Sequence, residues 1–428
     1  MNFVFEDKFN LANFTSCKDI NRSGINRFGI SPLLTATNIN CQLSNINGEL
    51  NYYSVDEIID EEYIIPTSVN HSPDDWTGYD PRVKSFFFYL NEKYLTDLRN
   101  NKAYVMLDQS LEGYQTPWLW EWFHKECKEW NVSPTRIIYV TGNMIADETY
   151  KKWTKDNDVI EKIKVIPYSH FELDMGMMCY EKIRDNHPLP TFEDHIIHKT
   201  ENTTHIKTFA CLNKRIRSQR VWFYNYLHQA GLINKGLVSM NSFDKHGYIF
   251  EGQEISKERI DEILVGLPLL VHEKSNDEFD DNFYIRRFNN QISLDTFMTV
   301  ISEAHCGDSD ETMFLSEKTF KVIACNNPFI IMGNKDSMEM MRKIGYKTFD
   351  GFIDEGYDHL PTHERLQYII ESIKKVDDIQ DKLKWFSSME EIIKYNQSVL
   401  VGKLFKLPDA YINLKNHCNH KNKIKNLI

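Results

Sequence analysis

Short apolar runs alternate with longer stretches of helical spacing through most of this chain, and that alternation constrains the fold more than any other feature. Ala103-Tyr104-Val105-Met106-Leu107-Asp108 reads as a strand that ends on an acid. Trp118 to Trp130, opened by Pro117, predicts a helix, and Arg136 to Asn143 predicts a second strand ending in a glycine loop. Thr149 to Lys155 is helical and Ile163 to Pro167 a third strand. Strands joined through helices in this way form βαβ units, whose right-handed crossovers generate a parallel sheet.

A second series of the same kind follows. Lys207 to Leu212 reads as a strand, Asn213 to Gln219 as a basic loop, and Arg220 to Ala230 as a helix closed by Gly231. Leu237 to Met240 is a strand, Ile260 to Val265 a helix, and Phe297 to Ser302 a strand. Met338 to Ile344 predicts a helix capped by Gly345, and Glu364 to Ile379 and Asp381 to Tyr395 predict two closing helices with charged outer faces. Before the first series, residues 1–80 carry turn patches such as Asn45 to Gly48 and His71 to Asp75, and short strands with long connections are expected there. Val83 to Leu98 is apolar and aromatic at mixed helical spacing, and residues 183–205, with Pro188 and Pro190, read as a linker. The expected fold class is therefore α/β, with two Rossmann-type parallel-sheet domains facing a cleft. The expected bounds are 1–200 for an N-terminal domain whose first 80 residues are irregular, 201–365 for a C-terminal domain, and 366–428 for closing helices and a basic tail.

Composition is compatible with that size. The chain has 428 residues, 41% hydrophobic and 13% aromatic, enough to bury a large core and more than one typical domain needs. A formal net charge of −12 argues against a generic nucleic-acid surface, although a local basic stripe could still serve one. Charges interrupt the apolar start from Met1 to Lys8, and no run approaches the ~18 apolar residues that a membrane span needs. The expectation is a soluble, cytoplasmic protein. The 8 cysteines are scattered without metal or redox spacing and read as reduced thiols. His417-Cys418-Asn419-His420 lacks a fourth ligand and reads as part of a solvated tail. The abundance of Asn, Ile and Lys is that of an AT-rich genome, of which viral genomes are one class.

Chemistry is most legible at Ser316-Glu317-Lys318, which opens a helix, and at Phe329 to Met332, a buried strand that ends on Gly333. Ser316 is an N-cap and Glu317 lies in the first turn. A carboxylate here can accept hydrogen bonds from ribose hydroxyls, while the ammonium of Lys318 and the helix N–H groups can hold a diphosphate. Gly333 would let the backbone approach a ligand at the carboxyl edge of an open sheet. A capped surface helix packed on a strand would have the same local pattern. The loop Asn213 to Arg220 adds Lys214, Arg215, Arg217 and Arg220 with no acid, a cluster that repels itself unless an anion joins it or solvent screens it.

Together these elements resemble the α-1,3-fucosyltransferase family, inverting glycosyltransferases of GT-B architecture. The matching residues are Asn213, the run Arg220-Val221-Trp222-Phe223-Tyr224-Asn225-Tyr226-Leu227, and Ser316-Glu317-Lys318 followed by Pro328 to Gly333. The resemblance covers the C-terminal half only. It implies that Arg220 and Lys318 hold a guanine-nucleotide diphosphate and that Glu317 holds the ribose. Glu303 falls where the family has a Phe-Glu-Asn element, within different neighbours. The insert His305 to Leu315 is longer and more acidic than the family's, and Lys347 to Asp358 has no counterpart there.

Inverting transfer needs a carboxylate to take the acceptor proton. Glu112, ahead of Asp108, is the candidate, because both follow a strand at the carboxyl edge of the first sheet; turn and cap roles are the alternative. Gly142-Asn143 and His170-Phe171-Glu172 are further strand-end loops that would line an acceptor pocket. The acidic run Asp277 to Asp281 reads as a solvated face, so no metal ligands are assigned. The expected activity is transfer of a hexosyl or deoxyhexosyl group from a nucleotide-diphosphate sugar, a GDP-sugar by the resemblance, to a hydroxyl of a glycan or other acceptor. Two alternatives stand beside it. One is a phage enzyme that glycosylates hydroxylated DNA bases, with nucleic acid as partner, and the other is a non-catalytic carbohydrate-binding or virion-associated protein.

Overall fold

A computed structural model describes residues 1–5, 32–44, 50–54, 61–68, 87, 90–113, 118–184, 189–245, 248–271, 288 and 290–425. The turn patches at Asn45 to Gly48 and His71 to Asp75 and the acidic run Asp277 to Asp281 lie outside the described residues. The chain divides into two compact units.

Unit 1 comprises residues 1–174, 311–314 and 402–428. Its strands are β1 (Asn2–Phe5), β2 (Asn51–Ser54), β3 (Tyr63–Ser68), β4 (Ala103–Gln109), β5 (Ile137–Thr141) and β6 (Lys164–Pro167). They form a 6-stranded sheet in the order β2-β1-β3-β4-β5-β6, parallel throughout. Every residue of β4 and β5 is buried, as strands covered on both faces require. Its helices are α1 (Pro32–Leu43), α2 (Glu92–Arg99), α3 (Leu119–Glu129) and α4 (Ala146–Asp156). Trp120 of α3 meets Tyr139 of β5 edge-on, with ring centroids 6.0 Å apart. The helix α5 (His170–Arg184) then leads out of this unit.

Unit 2 comprises residues 175–310 and 315–401. It contains, in chain order, α6 (Phe192–Glu201), β7 (Lys207–Asn213), α7 (Ser218–Gln229), β8 (Gly236–Met240), the hairpin strands β9 (Tyr248–Phe250) and β10 (Gln253–Ile255), α8 (Lys257–Leu264), α9 (Asn290–Leu294) and β11 (Thr296–Ser302). It continues with α10 (Glu317–Ala324), β12 (Phe329–Met332), α11 (Ser337–Lys343), α12 (Thr362–Asp377), α13 (Lys382–Ser387) and α14 (Glu390–Gly402). The main sheet has 4 strands in the order β12-β11-β7-β8, again all parallel. The chain steps from β7 outward to β8 and later returns to the other side of β7 as β11. The carboxyl ends of β7 and β11 therefore flank a topological switch point, where open α/β sheets hold their ligands.

Both units are thus α/β with parallel sheets, as the alternation of strands and helices predicts. Three local readings change. Residues 183–205 are not only linker: Thr191 and Asp194 form a capping box that starts α6, and Phe192 stacks on Phe386 at 5.5 Å. Asp381 to Tyr395 is two helices, α13 and α14, with a break at Ser388 and Met389. The basic tail lies in a last helix, α15 (Asp409–Lys425), which belongs to unit 1. Ala410, Tyr411, Leu414 and Cys418 recur at helical spacing along it and are buried. Among the described residues no helix is long and apolar enough to cross a membrane.

Candidate functional site

The strand β11 delivers Glu303 to the carboxyl edge of the sheet, where its side chain is fully buried. Oε1 accepts from Ser316 N at 3.0 Å and from Thr319 Oγ1 at 2.7 Å. Oε2 accepts from Ser316 Oγ at 2.5 Å and from Ala304 N at 3.2 Å. A buried carboxylate is tolerated where its lone pairs are used in this way. Glu303 therefore fixes the start of α10.

Ser316 caps that helix, its Oγ accepting from Lys318 N at 3.4 Å and from Lys318 Nζ at 3.2 Å. Lys318 Nζ also donates to Glu317 Oε1 at 2.8 Å. Burial alone would push the Glu317 carboxyl up, but the charges of Lys318 and Lys321 and the helix N–H hold it below the usual range, so it is ionised at neutral pH. Gly333 does not open onto free space. A Cβ there would stand 3.0 Å from Ile331 Cγ2, 3.0 Å from Ser337 Oγ and 3.5 Å from Glu303 Cβ.

From the other side of the switch point comes the basic loop after β7. Lys214 and Arg215 are exposed, Arg217 is half-buried and Arg220 is buried. Arg217 Nη1 donates to Ala304 O at 3.0 Å, and Gln219 Nε2 reaches the same oxygen at 3.2 Å. Arg220 donates Nε to Ser302 Oγ at 3.1 Å and Nη1 to Arg215 O at 3.0 Å. Its Nη2 donates to Ser302 O at 3.1 Å and to Glu303 O at 3.4 Å. This guanidinium ties the ends of β11 and the basic loop together; burial, then the neighbouring Arg217, hold its pKa below the ordinary value. Asn213 closes β7 almost fully buried. Its Nδ2 lies 3.4 Å from Cys211 Sγ, and its Oδ1 has no hydrogen-bond partner.

The structure thus brings Arg217, Arg220, Glu303, Ser316, Glu317 and Lys318 to one edge of the unit 2 sheet, with Asn213 at the end of the adjoining strand and Arg215 exposed. Sequence reasoning missed His305 as a site residue. Burial first, then the charges of Arg217 and Lys318, lower its pKa to about 4, so the imidazole is neutral at pH 7. Its only sequence signal is its place just past the end of β11.

In unit 1, Asp108 and Glu112 stand in different surroundings. Asp108 is buried. Its Oδ2 accepts from Leu33 N at 2.9 Å at the start of α1, and its Oδ1 accepts from Ser110 N at 3.0 Å and Ser110 Oγ at 2.7 Å. That is a cap and turn role. Glu112 is half-buried in the turn after β4, with its N donating to Gln109 O at 3.0 Å and its O accepting from Gly142 N at 3.0 Å. Asn143 Nδ2 donates to Glu311 O at 2.7 Å, and Glu172 pairs with Lys403.

Among the described residues one group, Asp336, Glu339 and His359, brings potential metal-ligating atoms within 4.8 Å of one another. An exposed contact of 2.5 Å between His359 Nδ1 and Asp336 Oδ1 accounts for part of that approach.

No protein-family model matches the sequence, and no curated protein matches it. Among solved structures, the chain is similar to the alpha,alpha-trehalose 6-phosphate synthase of Burkholderia multivorans, at 8% identity over 92% of this chain and 75% of that one, with a TM-score of 0.42. It is also similar to the UDP-forming alpha,alpha-trehalose-phosphate synthase of Burkholderia vietnamiensis, at 7% identity over 93% and 78%, TM-score 0.41. A third likeness is to the glycosylation-associated Gap123 complex of Streptococcus agalactiae, at 12% identity over 82% and 56%, TM-score 0.29.

Proposed function

We propose that this chain is an inverting glycosyltransferase of GT-B type that moves a hexosyl or deoxyhexosyl group from a nucleotide-diphosphate sugar to an acceptor hydroxyl, a glycan being the favoured acceptor. The observation that carries the reading is the convergence, at the switch point of the unit 2 sheet, of Arg217, Lys318 and the N-terminus of α10 with an ionised Glu317 beside them. Cations and helix N–H groups suit a diphosphate, and a neighbouring carboxylate suits ribose hydroxyls. A GDP-sugar is the favoured donor on the sequence resemblance.

In this reading the acceptor oxygen attacks the anomeric carbon on the face opposite the leaving diphosphate, and a carboxylate takes its proton, the role for which Glu112 is the sequence candidate. As the bond from the anomeric carbon to the diphosphate oxygen breaks, charge grows on that oxygen, and Lys318, Arg217 and the helix N-terminus stabilise it. Arg220 acts indirectly, holding the Ser302, Glu303 and Arg215 carbonyls in place. These cations belong to the chain itself, so the reading requires no divalent ion. Ionised Glu317, held in its ion pair with Lys318, orients the ribose.

The test is a thermal-shift screen against GDP, UDP, ADP, TDP and CMP, repeated on Lys318→Ala. A rise in melting temperature with one nucleotide, lost in the variant, would support the donor site and name its base. Flat curves for all five would remove the donor reading. With the donor known, Lys318→Ala should lower kcat by about 10²-fold or more.

A further inference from the structure

Gly113 and Gly142 are the two glycines nearest Glu112, and neither has a positive φ, so neither is needed for its backbone freedom. What they provide is room. A Cβ on Gly113 would lie 2.1 Å from Cδ2, 2.2 Å from Cγ and 2.5 Å from Cβ of Phe314. A Cβ on Gly142 would lie 2.8 Å from Phe314 Cε2, 2.8 Å from Glu112 O and 2.8 Å from Ser110 O. The buried Phe314 ring thus lies directly on the backbone of the turn that carries Glu112 and on the loop that this turn is bonded to. The ring also meets Phe171 in a T-shaped contact, with ring centroids 6.0 Å apart.

The ring is itself held from behind. Asn143 grips the segment leading into it with both ends of its carboxamide, Nδ2 donating to Glu311 O at 2.7 Å and Oδ1 accepting from Met313 N at 2.9 Å. Met144 N adds a bond to Met313 O at 2.8 Å. Three hydrogen bonds on so short a segment, with an aromatic side chain closing two glycine-lined gaps, are more than a passing loop requires. A small side chain at 314 would leave the turn with a void on one side, and turns without such packing open locally at little cost.

We propose that Phe314 is a positioning residue for Glu112, its ring pressing the Ser110–Gly113 turn against Gly142 so that the carboxylate keeps one place. The functional half of this inference rests on the reading of Glu112 as acceptor base, whereas the brace itself does not. A carboxylate displaced by even an ångström loses most of its value as a base.

The experiment uses the full chain and four variants, Phe314→Ala, Phe314→Leu, Gly113→Ala and the Gly113→Ala/Phe314→Ala pair. Hydrogen exchange is read at the Glu112 and Gly142 amides, the two donors that close the turn. Phe314→Ala and Gly113→Ala should each speed exchange there by about tenfold or more, while Phe314→Leu keeps most of the protection. The pair should be no worse than Phe314→Ala alone, because the new methyl enters the space that the ring vacates. Unchanged exchange in Phe314→Ala, or losses that add in the pair, would overturn the brace. With GDP-fucose cleavage by water as the activity probe, Phe314→Ala should lower kcat by about tenfold at constant KM, and Phe314→Leu should recover it. A higher KM at constant kcat would overturn the positioning role. Glu112→Gln separates the two readings: full kcat in that variant ends the assignment of Glu112 as base, and the exchange data still judge the brace.

Discussion

Glu303 and Ser316, 13 residues apart, are joined twice: Ser316 N donates to Oε1 at 3.0 Å and Ser316 Oγ donates to Oε2 at 2.5 Å. This double link is what converts the end of β11 and the start of α10 into one rigid edge. Glu303→Ala would strand the Ser316 N–H, the Ser316 hydroxyl and the Thr319 hydroxyl in a buried setting. A loss of about 2–4 kcal/mol is expected, read as a lower denaturant midpoint at constant slope. An unchanged midpoint would mean that water satisfies the three groups.

Arg220 and Lys318 should separate by variant. Arg220 spends its fork on Ser302, Glu303 and Arg215, and an ammonium cannot span those acceptors. Arg220→Lys should therefore lower the stability of the nucleotide-free protein by about 2–4 kcal/mol. The Lys318 side chain is 32% exposed and, among the described residues, pairs with Glu317 and Ser316, so Lys318→Ala should cost about 1–2 kcal/mol of nucleotide-free stability, as the largely buried Glu317 carboxyl loses its cation and takes up a proton, while abolishing the nucleotide response. Equal destabilisation by both would remove the distinction between brace and ligand contact.

Lys199 predicts a pH dependence. Its ammonium is buried and donates to His195 Nδ1 at 3.0 Å, Ser293 O at 3.2 Å and Leu294 O at 2.8 Å. Burial lowers its pKa to about 7, and Asp295 offsets only part of that. Between about pH 7 and the unfolded value near 10.4, the unfolded chain binds more protons than the folded one, so stability rises with pH through that window. Denaturant midpoints measured at pH 7.0, 7.4 and 7.8 should climb in the wild type, below the range in which the buried thiols, whose pKa values burial pushes up, reverse the trend. The slope should shrink in Lys199→Met, whatever that variant does to absolute stability, and an undiminished slope would move the effect to another group.

Signals confined to neighbouring residues were legible in the sequence. The apolar run of β4, the Ser316 cap, the span Phe329–Met332 and the Gly345 stop each follow from periodicity or from one residue's backbone preference. Features that depend on distant partners were not. β3 contains Pro66, which sits opposite Met106 inside a parallel ladder, and a proline in a run argues against a central strand until its neighbours are known. The polar composition after Asp409 hides the buried stripe of α15 until there is something for it to pack on.

The candidate site divides in the same way. That cations and a carboxylate fall at strand ends and a helix start could be read from the residues alone, because those positions are local. How each group is used depends on contacts made across the fold. Burial and long-range hydrogen bonds made Arg220 a brace, made Glu303 the anchor of a cap, turned Asp108 toward Leu33 N and left Glu112 half-buried. They also put His305 under the charges of Arg217 and Lys318 and Phe314 on two glycines, relationships that arise only when separate segments of the chain meet at the edge of a sheet.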